Sequence, residues 1–192
     1  MPIIVDKVRI SGFRGVRNFE MSLPRVAVLI GPNNCGKTSV LKALQLSLGD
    51  YSRYLSDEDF HIDEDDVRSA EITVDVRMVA TNEKEERVNA FSKEWTNEFG
   101  DKIQADVAGN QFFAFRTIAK PQLAKTGFLV ERYTLQEWVD FAGWTSVVPS
   151  QSQKFYARSE FVPFVSIDAQ RDIHQELNEK SSFVGRAFTS QI

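Results

Sequence analysis

The sequence is poor in cysteine, in long apolar runs and in net charge of either sign. Cys35 is the single cysteine among 192 residues, so no disulfide can form within the chain, and a reducing cytosol is favoured. No apolar run approaches the length of a membrane span, and the N-terminus lacks the pattern of a signal peptide. The formal net charge of −4 argues against a uniformly basic surface for nucleic acid. These absences predict a cytoplasmic globular domain without membrane contact.

One stretch of the chain carries a specific motif. The apolar run at residues 26–30 is followed by GPNNCGKT at 31–38, which matches the phosphate-loop pattern G-x-x-x-x-G-K-[ST] at every fixed position. Behind it, apolar residues recur at helical spacing from Val40 to Leu48. A strand, a glycine loop and a helix in this order favour a phosphate-binding loop over a glycine turn that merely caps a buried helix. The sequence therefore predicts that the chain binds a nucleoside triphosphate.

The residue types of the loop suit this chemistry. Gly31 and Gly36 allow backbone N–H groups to curl around a phosphate without a Cβ in the way. The helix that begins near Lys37 adds its positive end to the same anion, and Lys37 supplies a cation for the β- and γ-phosphates. The Thr38 hydroxyl can ligate Mg²⁺. We interpret Cys35 as a small filler side chain at a variable loop position rather than as a redox switch.

The flanking segments predict an α/β fold. Alternation over residues 2–10 indicates a half-exposed strand, 11–15 a turn and 16–23 a second strand, so that an antiparallel ribbon would lie beside the nucleotide-binding sheet. Residues 72–78 alternate as an amphipathic strand. Residues 57–66 are rich in carboxylates, which we interpret as a solvated loop rather than a metal site because no spaced ligand pattern emerges.

Further along the chain, an amphipathic helix is predicted at 83–99, a strand pair at 112–118 and 127–133, and a short helix at 135–141. We expect the aromatic residues of this region to belong to the core rather than to stack on bases, as for Trp95, Phe112 and Phe113.

Several strings resemble a known group of proteins. ISGFRG at 10–15 followed by VLIGPNNCGKTSVLKAL at 28–44 resembles the opening of the ABC-type ATPases of the RecF, SMC and OLD group. LSDEDF at 55–60, IDAQRD at 167–172 and SFVGR at 182–186 are most similar to the OLD (overcoming lysogenization defect) family. That family joins such an ATPase head to a Toprim nuclease domain, and several members act in bacterial defence against phage. The resemblance implies a P-loop NTPase fold, as the N-terminal lobe of an ABC-type ATPase head.

The resemblance also implies roles for individual residues. Arg14 corresponds to the arginine that approaches the nucleotide or the facing subunit in these heads, and a solvated turn residue is the alternative. Gln170 stands where a strand-end glutamine reaches the metal, although Arg171 and Asp172 could equally define that motif. Mg²⁺ would thus be bound by Thr38 and Gln170, and no catalytic residue is assigned. ATP would be held by the loop residues Gly31, Asn33, Asn34, Cys35, Gly36, Lys37, Thr38 and Ser39.

The parts that hydrolyse ATP in this group are missing from the sequence. A Walker B aspartate should be followed by a glutamate that orients the attacking water, but the nearest match, FVSID at 164–168, continues with Ala169. Neither a Leu-Ser-Gly-Gly-like signature nor a Toprim cluster of carboxylates occurs. We therefore expect residues 1–192 to be the N-terminal portion of an ABC-type ATPase domain, stopping before the helical insertion, signature and Walker B. Alone, it should bind ATP and Mg²⁺ weakly and hydrolyse ATP poorly.

The leading hypothesis for function is the ATP-binding part of an OLD-like ATPase that controls a DNA endonuclease in anti-phage defence. ATP would promote a homodimer of heads, with DNA bound by the intact protein and a further protein of a defence complex as a possible partner. The alternative is the head of a RecF- or SMC-like protein of DNA repair or chromosome maintenance. A nucleotide-dependent interaction module is a third hypothesis. A GTPase or a small-molecule kinase is disfavoured, because the guanine-reading motif Asn-Lys-x-Asp is absent and the chain is acidic where a kinase lid would be rich in arginine.

A modest basic cluster near the N-terminus leaves two interpretations open. It would face the DNA backbone, or it would be a solvated strand edge. Its members are Lys7, Arg9, Arg14 and Arg17.

Overall fold

An antiparallel sheet is the frame of the computed structural model, which describes residues 2–122, 126–155, 162, 164 and 165. The strands are β1 (Ile3–Phe13), β2 (Val16–Ser22), β3 (Ile72–Ala80), β4 (Gln104–Ala105), β5 (Gln111–Pro121) and β6 (Phe128–Thr134). The helices are α1 (Lys37–Leu48) and α2 (Lys93–Phe99). Among these helices none has both the length and the apolarity that crossing a bilayer requires.

The sheet runs in the order β2-β1-β3-β5-β4, with β6 also paired to β5, and every pairing is antiparallel. The predicted N-terminal ribbon is confirmed as β1 and β2, but it is part of this six-stranded sheet. Its turn is shorter than predicted, since β1 continues to Phe13, which pairs with Val16 across Arg14 and Gly15. The strand predicted at 72–78 is confirmed as β3, and the predicted strand pair is β5 and β6.

The two faces of the sheet differ in chemistry because side chains alternate along each strand. Val8, Val76 and Phe115 are partners across β1, β3 and β5, and all three are buried. Helix α1 packs on this apolar face through residues that include Val40, Ala43 and Leu46. Partners one residue further along point to the opposite side, which we call the outer face: Arg9, Asp75 and Arg116.

The outer face is a layer of paired charges beneath tryptophans. Arg116 donates from Nε and Nη2 to the two carboxylate oxygens of Asp75, at 2.7 and 2.8 Å, and both side chains are almost fully buried. Trp144 covers this pair, its carbonyl oxygen accepting from Arg116 Nη2 at 2.6 Å. The guanidinium of Arg9 lies 4.2 Å from the ring centroid of Trp138. Cations are thus neutralised and shielded on this side of the sheet.

The apolar run before the phosphate loop is not a strand, contrary to prediction. Val26, Val28 and Ile30 are 78%, 76% and 90% exposed, and no described strand pairs with residues 26–30. A strand exists only through hydrogen bonds to a neighbour, and none of the described strands pairs with this segment. An apolar run alone does not supply that neighbour.

Two predicted helices are also corrected. The helix predicted at 83–99 is shortened to α2, because the Asn82 side chain accepts from the backbone of Lys84 and Glu86 and holds a turn there. Residues 135–141 form no helix; Leu135 instead donates its backbone N–H to Ala114 beside β5. The assignment of aromatic residues to the core is confirmed: Phe112 and Phe113 are buried, and Trp95 stacks on Phe99.

Candidate nucleotide-binding site

The phosphate loop turns sharply just before α1. Asn34 and Gly36 both have left-handed backbone conformations, with φ of 63° and 91°. Gly36 is also the N-cap of α1, and a side chain there would strain the backbone. Gly31 is favoured for a steric reason, because a Cβ at this position would lie only 2.7 Å from Cys35 Sγ. The two glycines therefore allow the loop to fold back on itself.

The N-terminus of α1 is open for an anion. The first helical bond runs from Val40 N to Gly36 O, at 3.0 Å, so the N–H groups of Lys37, Thr38 and Ser39 have no acceptor within the helix. No side chain caps this end, and no acidic residue lies in the first turn. The positive end of the helix dipole is therefore not offset by the helix itself, which is the arrangement that binds phosphate.

Lys37 lies within the loop. Its Nζ donates to the carbonyl oxygens of Gly31 and Pro32, both at 2.7 Å, and lies 3.5 Å from Cys35 Sγ. These partners are neutral groups rather than carboxylates. The ammonium charge is consequently held at the centre of the loop without being neutralised.

The other predicted site residues lie in different surroundings. Asn33, Asn34 and Thr38 are exposed, so the Thr38 hydroxyl is accessible to solvent. Ser39 is 9% exposed, so its side chain is largely buried and its backbone N–H is the group that it offers to an anion. Gln170 lies outside the described residues, as do Arg171 and Asp172.

Arg14 forms the turn between β1 and β2 and is held by a buried carboxylate. Its Nε donates to Asp59 Oδ1 at 2.7 Å, and its Nη2 donates to the Tyr51 hydroxyl at 2.6 Å. The Arg14 backbone, with φ of 49°, donates to Asp59 O at 2.8 Å and accepts from His61 Nδ1 at 2.6 Å. The side chain is 34% exposed. Arg14 is therefore not a freely solvated turn residue.

Comparison with known proteins assigns the chain to a family. Residues 4–108, more than half of the chain, match the AAA ATPase domain. The chain belongs to this ATPase family. An OLD nuclease of Thermus scotoductus (strain ATCC 700910 / SA-01) is 33% identical over 75 residues, which are 37% of this chain and 14% of that protein. The chain thus spans a small part of the curated relative's length.

One solved structure of an SMC ATPase, described in terms of ATP-driven dimerization and DNA-stimulated activation, is similar to this chain with a TM-score of 0.48. The two chains share 14% sequence identity, and the match covers 97% of each. A likeness this distant carries no functional inference. The family match confirms the predicted P-loop NTPase fold class, and together with the OLD nuclease it confirms the resemblance to OLD-type ATPase heads. The phosphate loop and the Arg14 turn both lie within the matched residues of this ATPase domain.

Burial and the contacts among Arg14, Tyr51 and Asp59 in the ATPase domain together raise the pKa of two of these groups. Burial raises the pKa of Tyr51 to about 12, and the hydrogen bond and charge of Asp59 act in the same direction. Burial alone would lower the pKa of Arg14, but the contacts with Asp59 and Tyr51 outweigh it and raise that pKa. Both groups therefore keep their protons at every physiological pH.

Asp59 is a buried partner of Arg14 that sequence reasoning missed. It was expected in a solvated acidic loop, and most of residues 57–66 are indeed exposed, but Asp59 itself is 1% exposed. Its Oδ2 accepts from the backbone N–H of Ser56 at 2.9 Å and closes a capping box. The string Ser56-x-x-Asp59 followed by the apolar Phe60 was the available signal. Within the described residues no acidic cluster suited to a metal occurs.

The basic cluster near the N-terminus does not form a patch. Arg9 is 3% exposed and donates to Glu20 at 2.6 Å, and Lys7 approaches the same carboxylate at 3.5 Å. Arg14 is paired with Asp59, as described above. Only Arg17 of the four is classed as exposed. Both sequence-based interpretations, a DNA-facing patch and a solvated strand edge, fail for Arg9 because its charge is buried.

Proposed function

We propose that this ATPase domain binds ATP with Mg²⁺ at the phosphate loop, as the ATP-binding part of an OLD-like ATPase that regulates a DNA endonuclease in anti-phage defence. The observation that carries ATP binding is the Lys37 ammonium, held by neutral carbonyls at the uncapped N-terminus of α1. The OLD nuclease among its relatives supports the choice of that family over a RecF- or SMC-like protein. DNA would be contacted by the intact protein, together with any partner in a defence complex.

The residues of the loop fit this ligand. The backbone N–H groups of Lys37, Thr38 and Ser39 supply donors for phosphate oxygens, and Lys37 Nζ exchanges its two carbonyl acceptors for them. The exposed Thr38 hydroxyl would hold Mg²⁺, with Gln170 as the second ligand proposed from the resemblance. The metal supplies charge neutralisation at the β- and γ-phosphates.

Hydrolysis needs groups that residues 1–192 do not supply. Asp168 is followed directly by Ala169 rather than by a glutamate, and no signature motif occurs to close the loop from a facing subunit. We propose that ATP promotes head-to-head homodimerisation of the intact protein, with the facing head completing each site. This segment then binds ATP without rapid turnover.

Lys37→Ala tests the proposed ATP site. We expect an affinity loss of about 100-fold for a fluorescent ATP analogue with Mg²⁺, the equivalent of one or two charge-assisted hydrogen bonds. Lys93→Ala removes an exposed lysine on α2 and should leave the affinity unchanged. Equal affinity of the Lys37→Ala and wild-type proteins would refute ATP binding at the loop. Brisk hydrolysis by the wild-type segment, abolished in Lys37→Ala, would show instead that the segment is a complete ATPase.

A further inference from the structure

The turn that carries Arg14 touches the end of the phosphate loop. Val16 begins β2 directly after the turn and pairs with Phe13. A Cβ built on Gly36 would lie 3.7 Å from Val16 Cγ2, within van der Waals contact. The Arg14 turn and the N-terminus of α1 are therefore neighbours, although 20 residues separate Val16 from Gly36 in the chain.

The guanidinium of Arg14 is fixed through two of its three nitrogens. Asp59 Oδ1 accepts from Arg14 Nε at 2.7 Å and from the Tyr51 hydroxyl at 2.9 Å, while Tyr51 accepts from Arg14 Nη2 at 2.6 Å. Asp59 is itself fixed, because its Oδ2 accepts from Ser56. For the third nitrogen, Nη1, none of the described residues supplies a hydrogen-bond acceptor. The guanidinium is thus held in place with the N–H groups of Nη1 available to a ligand.

We propose that Asp59 and Tyr51 are positioning residues, which hold Arg14 beside the phosphate loop so that Nη1 donates to a phosphate oxygen of bound ATP. The inference rests on the proposed function and extends it to two residues outside the loop motif. A mobile arginine would lose substantial rotamer freedom on binding phosphate, whereas this one is already ordered in the protein. The left-handed backbone at Arg14, held by Asp59 and His61, is the kind of local strain that persists at ligand sites.

A double-mutant cycle on nucleotide affinity separates positioning from a purely structural role. With the fluorescent ATP analogue and Mg²⁺, we expect Arg14→Ala to weaken binding about tenfold or more, as for one charged hydrogen bond. Asp59→Asn should weaken it by a similar factor, and Tyr51→Phe by about threefold. In the Arg14→Ala background neither substitution should weaken binding further, because both act through Arg14. Effects that are as large in that background as in the wild type would overturn the proposal.

Two control variants show how the loss of a similar contact elsewhere in the protein affects ATP affinity and thermal unfolding. Asp6→Asn removes a carboxylate paired bidentately with Arg77, and Tyr133→Phe removes the hydroxyl of a buried tyrosine bonded to Glu131. Both should leave ATP affinity unchanged, with thermal unfolding recorded for every variant. If Asp59→Asn does not fold, Tyr51→Phe with and without Arg14→Ala decides the question.

Different results would contradict ATP binding at the loop and the positioning role of Asp59 and Tyr51. A wild-type protein that does not bind the analogue overturns the proposed function. Wild-type binding that is lost in Lys37→Ala but unchanged in Asp59→Asn and Tyr51→Phe overturns the positioning role alone.

Discussion

Cations on the two sides of the sheet are satisfied in different ways. On the outer face, Arg116 donates to both carboxylate oxygens of Asp75 and is covered by Trp144, so its charge is neutralised within the protein. On the side of α1, Lys37 bonds to two backbone carbonyls and to Cys35 Sγ, with no carboxylate among its described partners. Arg14 Nη1 has no acceptor among the described residues. The partner of a cation, rather than its burial alone, therefore distinguishes a structural charge from one available to a ligand.

The outer face shows how strongly its environment acts on charge. Burial raises the pKa of Asp75, even though Arg116 and Arg9 both act to lower it. An ion pair in such surroundings is costly to break, because the remaining charge stays buried without its counterion. Substitutions there should change stability, whereas substitutions near the loop should change ligand affinity.

Arg116→Met is the strongest test of this division. It leaves Asp75 buried without its partner, and we expect the free energy of unfolding to fall by about 3–5 kcal/mol, measured by urea denaturation. The ATP affinity of the folded protein should not change. Arg77→Met removes a more exposed partner of Asp6 and should cost less. A stable Arg116→Met protein with weakened ATP binding would show that the outer face contributes to ligand binding.

Gly36→Ala tests the loop side with a smaller effect on stability. The φ of 91° is unfavourable for alanine, which costs about 1–2 kcal/mol in folding. Relief of that strain should turn the backbone N–H groups away from the phosphate, and we expect an affinity loss of about tenfold. Gly109→Ala is matched to it, since Gly109 has φ of 81° and open space around its Cα. That control should lose similar stability and no affinity; equal affinity losses would contradict the assignment.

Local features of the sequence were predicted better than features that need a distant partner. The tight turn before α1 and the strand β3 follow from residues adjacent in the chain, and both are found where predicted. The segment 26–30 has the composition of a strand, but pairing depends on a neighbour that the described sheet does not provide. Asp59 was missed for a related reason, because its burial depends on Arg14, 45 residues away. The motif that indicates the site consists of adjacent residues, whereas the contacts that position Arg14 join residues far apart in the chain.

Glu20→Gln gives the smallest expected effect and examines the rim of the outer face. Partial burial alone would raise the pKa of Glu20, but the hydrogen bond and charge of Arg9, with those of Lys7, outweigh it and lower that pKa from its ordinary value of 4.5. A lowered folded-state pKa stabilises the protein above pH 4.5, and this contribution is lost as the pH falls through the folded-state value. The free energy of unfolding should therefore decline less steeply below pH 4.5 in Glu20→Gln than in the wild type. Glu137→Gln changes an exposed carboxylate and should retain the wild-type slope. The difference in free energy of unfolding between Glu20→Gln and the wild type should stay below about 1 kcal/mol, because Glu20 is partly solvated. If Glu20→Gln keeps the wild-type slope, the ion pairs of Glu20 do not share the structural role of Asp75 and Arg116.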